Sequence, residues 1–283
     1  MTPIMATQPP TFVVASDHEF AGSIPAVYDA LLVPLIFEQY ALDLAHRVAA
    51  LHATRVLEIA AGTGVVTRAL ARATPASTSI VATDLNVAML DQAEAVGTSR
   101  PVQWQLADAL ALPHDDEAFD VVVCQFGVMF LPDKPRAFAE AHRVLAPGGV
   151  LLFNVWDRIA ENEFADTVTT ALASVFPDDP PRFLARVPHG YHDRAAIADD
   201  LAAGGFRRPC DITTLTARSR ADTPRVPAVA YCLGTPLRNE LEARDASGLD
   251  VATAAAALAV ERRFGAQAVV GKLQAHVVVA TRH

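Results

Sequence analysis

The chain has 283 residues, 52% hydrophobic and 19% charged, with a net charge of −9. At ~150 residues per domain this is one large domain or two small ones, and the composition excludes a disordered tail or a coiled coil. With 23 basic against 32 acidic side chains, a general nucleic-acid binder, which needs a basic face, is disfavoured.

Residues 1–11 hold three prolines and little pattern, and read as a flexible leader. They lack the basic and apolar regions of a signal peptide, and no apolar run reaches the ~18 residues of a membrane span. Cys124, Cys210 and Cys232 stand far apart, without zinc spacing or a disulfide framework, so a reducing cytoplasmic setting and no metal site are expected.

Residues 24–51 read as helix, with Pro25 in its first turn and Leu44, Val48 and Leu51 on one face. Strands and helices then alternate. Short apolar strands are expected at 56–60, 79–83, 102–106, 119–124 and 150–155. Asn86 and Asp133 stand where helix caps belong, and Pro147-Gly148-Gly149 reads as a helix stop. The strand at 119–124 is apolar on both faces, as in the middle of a parallel sheet.

Residues 157–190, interrupted by Pro177-Asp178-Asp179-Pro180-Pro181, read as an insertion of short helical pieces. A helix capped by Asp193 follows, then a strand at 210–217, a second irregular or helical insertion at 222–265, and a last strand at 276–280. Repeated strand–helix units of this size imply an α/β fold with helices on both faces of the sheet.

The segment Glu58-Ile59-Ala60-Ala61-Gly62-Thr63-Gly64 ends the first strand in a tight turn before a helix. Glycines there let backbone approach a ligand closely, at the strand ends where open α/β sheets bind ligands. Asp84, 20 residues past Gly64 and at the end of the second strand, is placed to accept ribose hydroxyls. A dinucleotide fingerprint would need glycine at Ala60 and Thr67. Glu58 would repel a pyrophosphate and suits a ligand bearing positive charge.

Glu58–Gly64 resembles motif I (ExGxGxG) of the class I S-adenosyl-L-methionine (SAM)-dependent methyltransferases, with Ala60 in place of the first glycine. Further blocks are similar in the same order: Asp84-Leu85-Asn86-Val87-Ala88-Met89-Leu90, Leu106-Ala107-Asp108-Ala109, Phe119-Asp120-Val121-Val122-Val123-Cys124-Gln125-Phe126-Gly127, and Arg143-Val144-Leu145-Ala146-Pro147-Gly148-Gly149. Within the class they look nearest the ubiquinone/menaquinone-biosynthesis-like (type 11) group.

The resemblance implies a Rossmann-like, seven-stranded, mostly parallel sheet in one domain over 12–283. Its core would be 40–156, 191–221 and 272–283, and its helical cap 12–39, 157–190 and 222–271. It implies SAM as cofactor, giving S-adenosyl-L-homocysteine (SAH). Backbone near Ala60 and Gly62, in the cofactor-binding turn that Gly64 completes, would contact the methionine part, Glu58 would orient that part through water or backbone, and Asp84 would take the ribose. Leu85 and Met89 would pack the adenine, with Asp108 and the Ala109 amide on its edge. Gln125 and Phe126 would line the methyl side, and Tyr28 would close over SAM from the N-terminal helix.

The expected activity is methyl transfer to a small-molecule acceptor by in-line displacement. The alternatives are an NAD-dependent oxidoreductase, disfavoured by Ala60, Thr67 and Glu58, and a non-catalytic SAM-binding protein. A homodimer is compatible with the family. His189, Tyr191 and His192 border the first insertion within reach of the site's mouth, where a histidine could act as a base, but they read better as surface residues ahead of the Asp193 cap, so no catalytic base is named.

Overall fold

A computed structural model describes Asp17 and residues 19–283. The expected leader, 1–11, and residues 12–16 and 18 of the expected cap lie outside the described residues. The helix expected over 24–51 forms as α1 (Ile24–Val27), a π-helical segment (Tyr28–Phe37) and α2 (Glu38–Ala50). Pro34 sits inside the π-helical segment. Proline supplies no N–H to a regular ladder and crowds the preceding turn, and wider turns of this kind recur at functional sites.

Seven strands form one sheet in the order β3 (Gln103–Leu106), β2 (Ser79–Asp84), β1 (Arg55–Ile59), β4 (Phe119–Gln125), β5 (Leu145–Trp156), β7 (Val269–Thr281) and β6 (Asp211–Ala221). The first five run parallel, and β7 is antiparallel to both of its neighbours. The sheet is therefore seven-stranded and mostly parallel, as expected, and it ends in an antiparallel pair. Chain order reverses between β1 and β4, the switch point at which such sheets open a crevice.

Helices cover both faces. Leu44 and Val48 of α2 and Leu70 of α3 (Val65–Ala73) pack with Val56 and Ile80 on one face. On the other, Phe138 and Val144 of α5 (Lys134–Val144) and Ile197 and Leu201 of α8 (Arg194–Ala203) pack with Val122 and Phe153. The remaining helices are α4 (Val87–Val96), α6 (Glu163–Val175), α7 (Phe183–Arg186), α9 (Arg225–Leu233), α10 (Leu237–Arg244) and α11 (Leu249–Phe264). In the two insertions, α11 packs on α6 and α9, and α9 packs on the π-helical segment.

Three expected caps are present. Asn86 accepts from the amides of Ala88 and Met89, Asp133 from that of Arg136, and Asp193 from those of Ala195 and Ala196.

The late strands differ from their expected extents. Strand β5 begins at Leu145, because Leu145 pairs with Phe119 before a register shift, and Gly148 and Gly149 exchange backbone hydrogen bonds with Arg282. Pro147-Gly148-Gly149 is thus a bulge inside the strand. Strands β6 and β7 pair continuously from Asp211↔Val279 to Ala221↔Val269, so residues 218–221 and 269–275, expected in part as insertion, belong to the sheet.

Candidate functional site

Beyond the carboxyl ends of β1, β2 and β4 lies a cavity of about 410 Å³, within the size range of small-molecule sites. Its floor is the turn after β1. Ala60 and Gly62 both have positive φ, 54° and 56°, which bends the chain sharply between strand and helix. The Asp84 carboxylate fixes this turn: Oδ2 accepts from the Gly62 amide and Oδ1 from the Asn86 amide, each at 2.8 Å. A carboxylate offers about four lone-pair sites, so these bonds leave acceptor capacity for a ligand hydroxyl. Burial raises the Asp84 pKa, against the opposing backbone hydrogen bonds.

Ten of the twelve residues singled out from sequence line this one cavity: Tyr28, Ala60, Gly62, Asp84, Leu85, Met89, Asp108, Ala109, Gln125 and Phe126. Leu85 is 63% exposed at the rim, an apolar side chain open to a flat ligand. Asp108 closes its own turn through Oδ1, which accepts from the Leu110 amide. Gln125 donates to the Phe37 carbonyl at 3.4 Å, while its Oε1 is buried without a partner. An orphaned acceptor on the wall suits a cationic or N–H-bearing ligand group.

Glu58 and Gly64 do not line the cavity. Glu58 is buried beneath the turn, and Oε2 accepts from the Thr67 hydroxyl at 2.6 Å. Burial, aided by the Asp84 carboxylate and opposed by the Thr67 hydrogen bond, pushes its pKa up to about 8. Any influence of Glu58 on a ligand passes through the turn. Gly64, with φ 81°, allows close packing instead, since a Cβ there would lie 2.7 Å from Trp104 Cη2 and 3.2 Å from Ala93 Cβ.

The roof comes from the N-terminal helix. Tyr28 stacks on Phe37 at 4.9 Å between ring centroids, and Phe20 meets Tyr28 and Phe130 edge-on. Asp29 pairs with Arg68 of α3 at 3.0 Å, and Arg68 also donates to the Thr63 carbonyl, so the helix is tied directly to the glycine turn. Phe20, Phe130, Leu131 and Pro132 line the cavity without having been singled out from sequence. Phe20 precedes the helix expected to close the site, which is the one signal that pointed to it.

A second cavity, of about 60 Å³, lies against the first and shares Phe20, Tyr28, Phe126 and Phe130 with it. Among the described residues, no Lys, Arg, Asp or Glu lines it. Phe126 has φ 50°, and its amide bonds to the backbone and side-chain oxygens of Asn154. Strain at a non-glycine residue persists where surrounding structure dictates it. The Phe126 ring lies flat on Trp156 at 3.7 Å and 6°.

His189 corrects the sequence reading: it is not at the surface but 5% exposed, and it lines this second cavity. The turn after α7 folds back under the cap and holds Nδ1 2.8 Å from the Asp157 carbonyl. Cys124 is buried, and that burial pushes its thiol up to about 12, so it serves as an inert filler in the core.

Residues 57–153 match the family described as Methyltransferase domain. A ubiquinone/menaquinone biosynthesis C-methyltransferase from Stutzerimonas stutzeri is 29% identical over 209 residues, covering 67% of this chain and 80% of its own length. One from Dinoroseobacter shibae is 38% identical over 167 residues, covering 54% of this chain and 66% of its own length. Among solved structures, Phospholethanolamine N-methyltransferase 2 of Haemonchus contortus, in complex with phosphomonomethylethanolamine and SAH, shares the fold at a TM-score of 0.57. It is 17% identical, and the match covers 91% of this chain and 57% of that one. Residues 57–153 are thus matched as a methyltransferase domain, and the ordered motifs, the cavity at the switch point and these relatives support a class I SAM-dependent methyltransferase with SAM as cofactor.

Proposed function

We propose that the chain transfers a methyl group from SAM to a small, largely apolar molecule held between the sheet and the cap. The observation that carries this reading is the second cavity, walled by aromatic side chains, free of charged side chains among the described residues and sharing four residues with the first. A cavity walled by side chains of the sheet and the insertions suits a small molecule better than a polymer. The three free cysteines support a cytoplasmic setting for the enzyme.

Bound SAM supplies a methyl group already activated by its sulfonium, so the protein's share of the work is alignment and exclusion of water. In this reading the Asp84 carboxylate holds the ribose hydroxyls with the lone pairs left free by Gly62 and Asn86. The Gln125 Oε1 receives an N–H of the methionine part. Phe20, Tyr28, Phe126 and Phe130 separate the two cavities and keep water from the line between them.

The second cavity is smaller than the ~150 Å³ pocket that holds benzene in an engineered core, so acceptor entry requires the aromatic wall or the cap helices to shift. The experiment is label transfer from methyl-tritiated SAM to neutral aromatic molecules, peptides and nucleic acids offered separately. Label in the small-molecule fraction supports the reading, and label confined to a polymer overturns it.

A further inference from the structure

The second cavity contains a histidine whose tautomer is set by the fold. His189 Nδ1 lies 2.8 Å from the Asp157 carbonyl oxygen. A carbonyl only accepts, so Nδ1 carries the hydrogen and Nε2 of the neutral ring carries the lone pair. The other nearby group, Asn162 Nδ2, is itself a donor at 3.4 Å and is directed to the carbonyls of Asp157, Arg158 and Gln274. Nε2 thus has no partner among the described residues, although the side chain is 95% buried (5% exposed) in a wall made of Trp156, Phe183, Leu184 and Leu273. Trp156 lies 6.0 Å from its ring, on the side that leads through the stacked Phe126 to the SAM cavity.

An unfilled acceptor in apolar surroundings is costly unless a ligand fills it. We propose that His189 Nε2 determines acceptor specificity by receiving the hydroxyl hydrogen of an uncharged aromatic acceptor. This rests on the small-molecule reading above and narrows it. A hydroxyl fits better than an amine or an acid. An amine protonated at neutral pH would enter without a carboxylate to pair it, and a carboxylate would enter without a cation, since among the described residues no charged side chain lines the cavity. Burial lowers the His189 pKa to about 4, so the ring stays neutral and ready to accept at neutral pH.

The test is fluorescence titration of the SAH-loaded protein with 2-naphthol and 2-methylnaphthalene, which differ by hydroxyl against methyl. The expected result is at least tenfold tighter binding of 2-naphthol. In His189→Phe the two probes bind equally, whatever their common affinity. His189→Gln, which keeps an acceptor, recovers part of the preference. In the unaltered protein, the 15N resonance of His189 Nε2 shifts with 2-naphthol and not with 2-methylnaphthalene, a readout that requires no variant to fold. Equal binding of both probes by the unaltered protein, or a preference that survives in His189→Phe, overturns the proposal while leaving the small-molecule reading intact. SAH binding with neither probe binding overturns both.

Discussion

Glu58 gives the most quantitative prediction. Its carboxyl is 1% exposed and has one side-chain partner, Thr67. Its pKa rises from the ordinary 4.5 to about 8 on folding. For an acid the sign follows directly: between those values the folded protein holds more protons than the unfolded chain, so stability falls as pH rises through that window and levels off above it. Below pH 4.5 both states are protonated and the group contributes no slope. From pH 5 to pH 9 the difference amounts to about 4 kcal/mol, at 1.36 kcal/mol per pH unit across the window. Glu58→Gln keeps the shape and cannot ionise, so the slope disappears.

Calorimetric melting of both proteins at pH 5 and pH 9 isolates this group together with its coupling to Asp84, since titrations uncoupled from Glu58 cancel in the comparison. At ~2 °C per kcal/mol for a chain of this size, the variant gains about 8 °C relative to the parent between the two pH values. Parallel pH profiles would refute the reasoning. SAM carries positive charge, which favours ionised Glu58, so SAM binding near pH 7 also releases protons from the parent and fewer from the variant.

Three further outcomes are expected. Gly64→Ala places a Cβ 2.7 Å from Trp104 Cη2 at φ 81° and lowers stability by roughly 2–4 kcal/mol; a loss below about 1 kcal/mol in urea titrations would contradict the packing role. Asp84→Ala weakens SAH binding by roughly 2–3 kcal/mol in isothermal titration, as expected for the loss of charge-assisted hydrogen bonds, and an unchanged affinity would remove Asp84 from the site. Asp108→Ala costs about tenfold in SAH affinity, or roughly 1.4 kcal/mol, and abolishes the preference for SAH over S-inosylhomocysteine, which has a carbonyl in place of the adenine amino group. A preference that persists would assign adenine recognition elsewhere.

Most of the lining of the larger cavity was legible because it is local. The turn after β1, the acid at the end of β2 and the caps at Asn86, Asp133 and Asp193 are each set by a few adjacent residues, and the parallel strand order brings them together. Gly64 and Glu58 belong to the same motif but face inward, one toward Trp104 and the other toward Thr67. Spacing along the chain does not reveal which side of a tight turn a residue takes.

The acceptor side was not legible, because its wall draws Tyr28, Phe126, Trp156, His189 and Tyr231 from distant segments. A polar stretch such as Pro188-His189-Gly190-Tyr191-His192 reads as surface until the cap helices are packed over it. The lengths of β6 and β7 were missed for a related reason: Arg218 and Arg220 look like loop residues, yet both pair along an edge strand that can tolerate their charge.

The central claim is that the cavity at the switch point holds SAM with its ribose on Asp84. A crystal structure of the protein with SAH tests it most directly. The account predicts both ribose hydroxyls within ~3 Å of the Asp84 carboxylate oxygens, hydrogen-bond distance, with the adenine between Leu85 and Met89. SAH bound elsewhere, or bound in this cavity with its ribose turned away from Asp84, would contradict it.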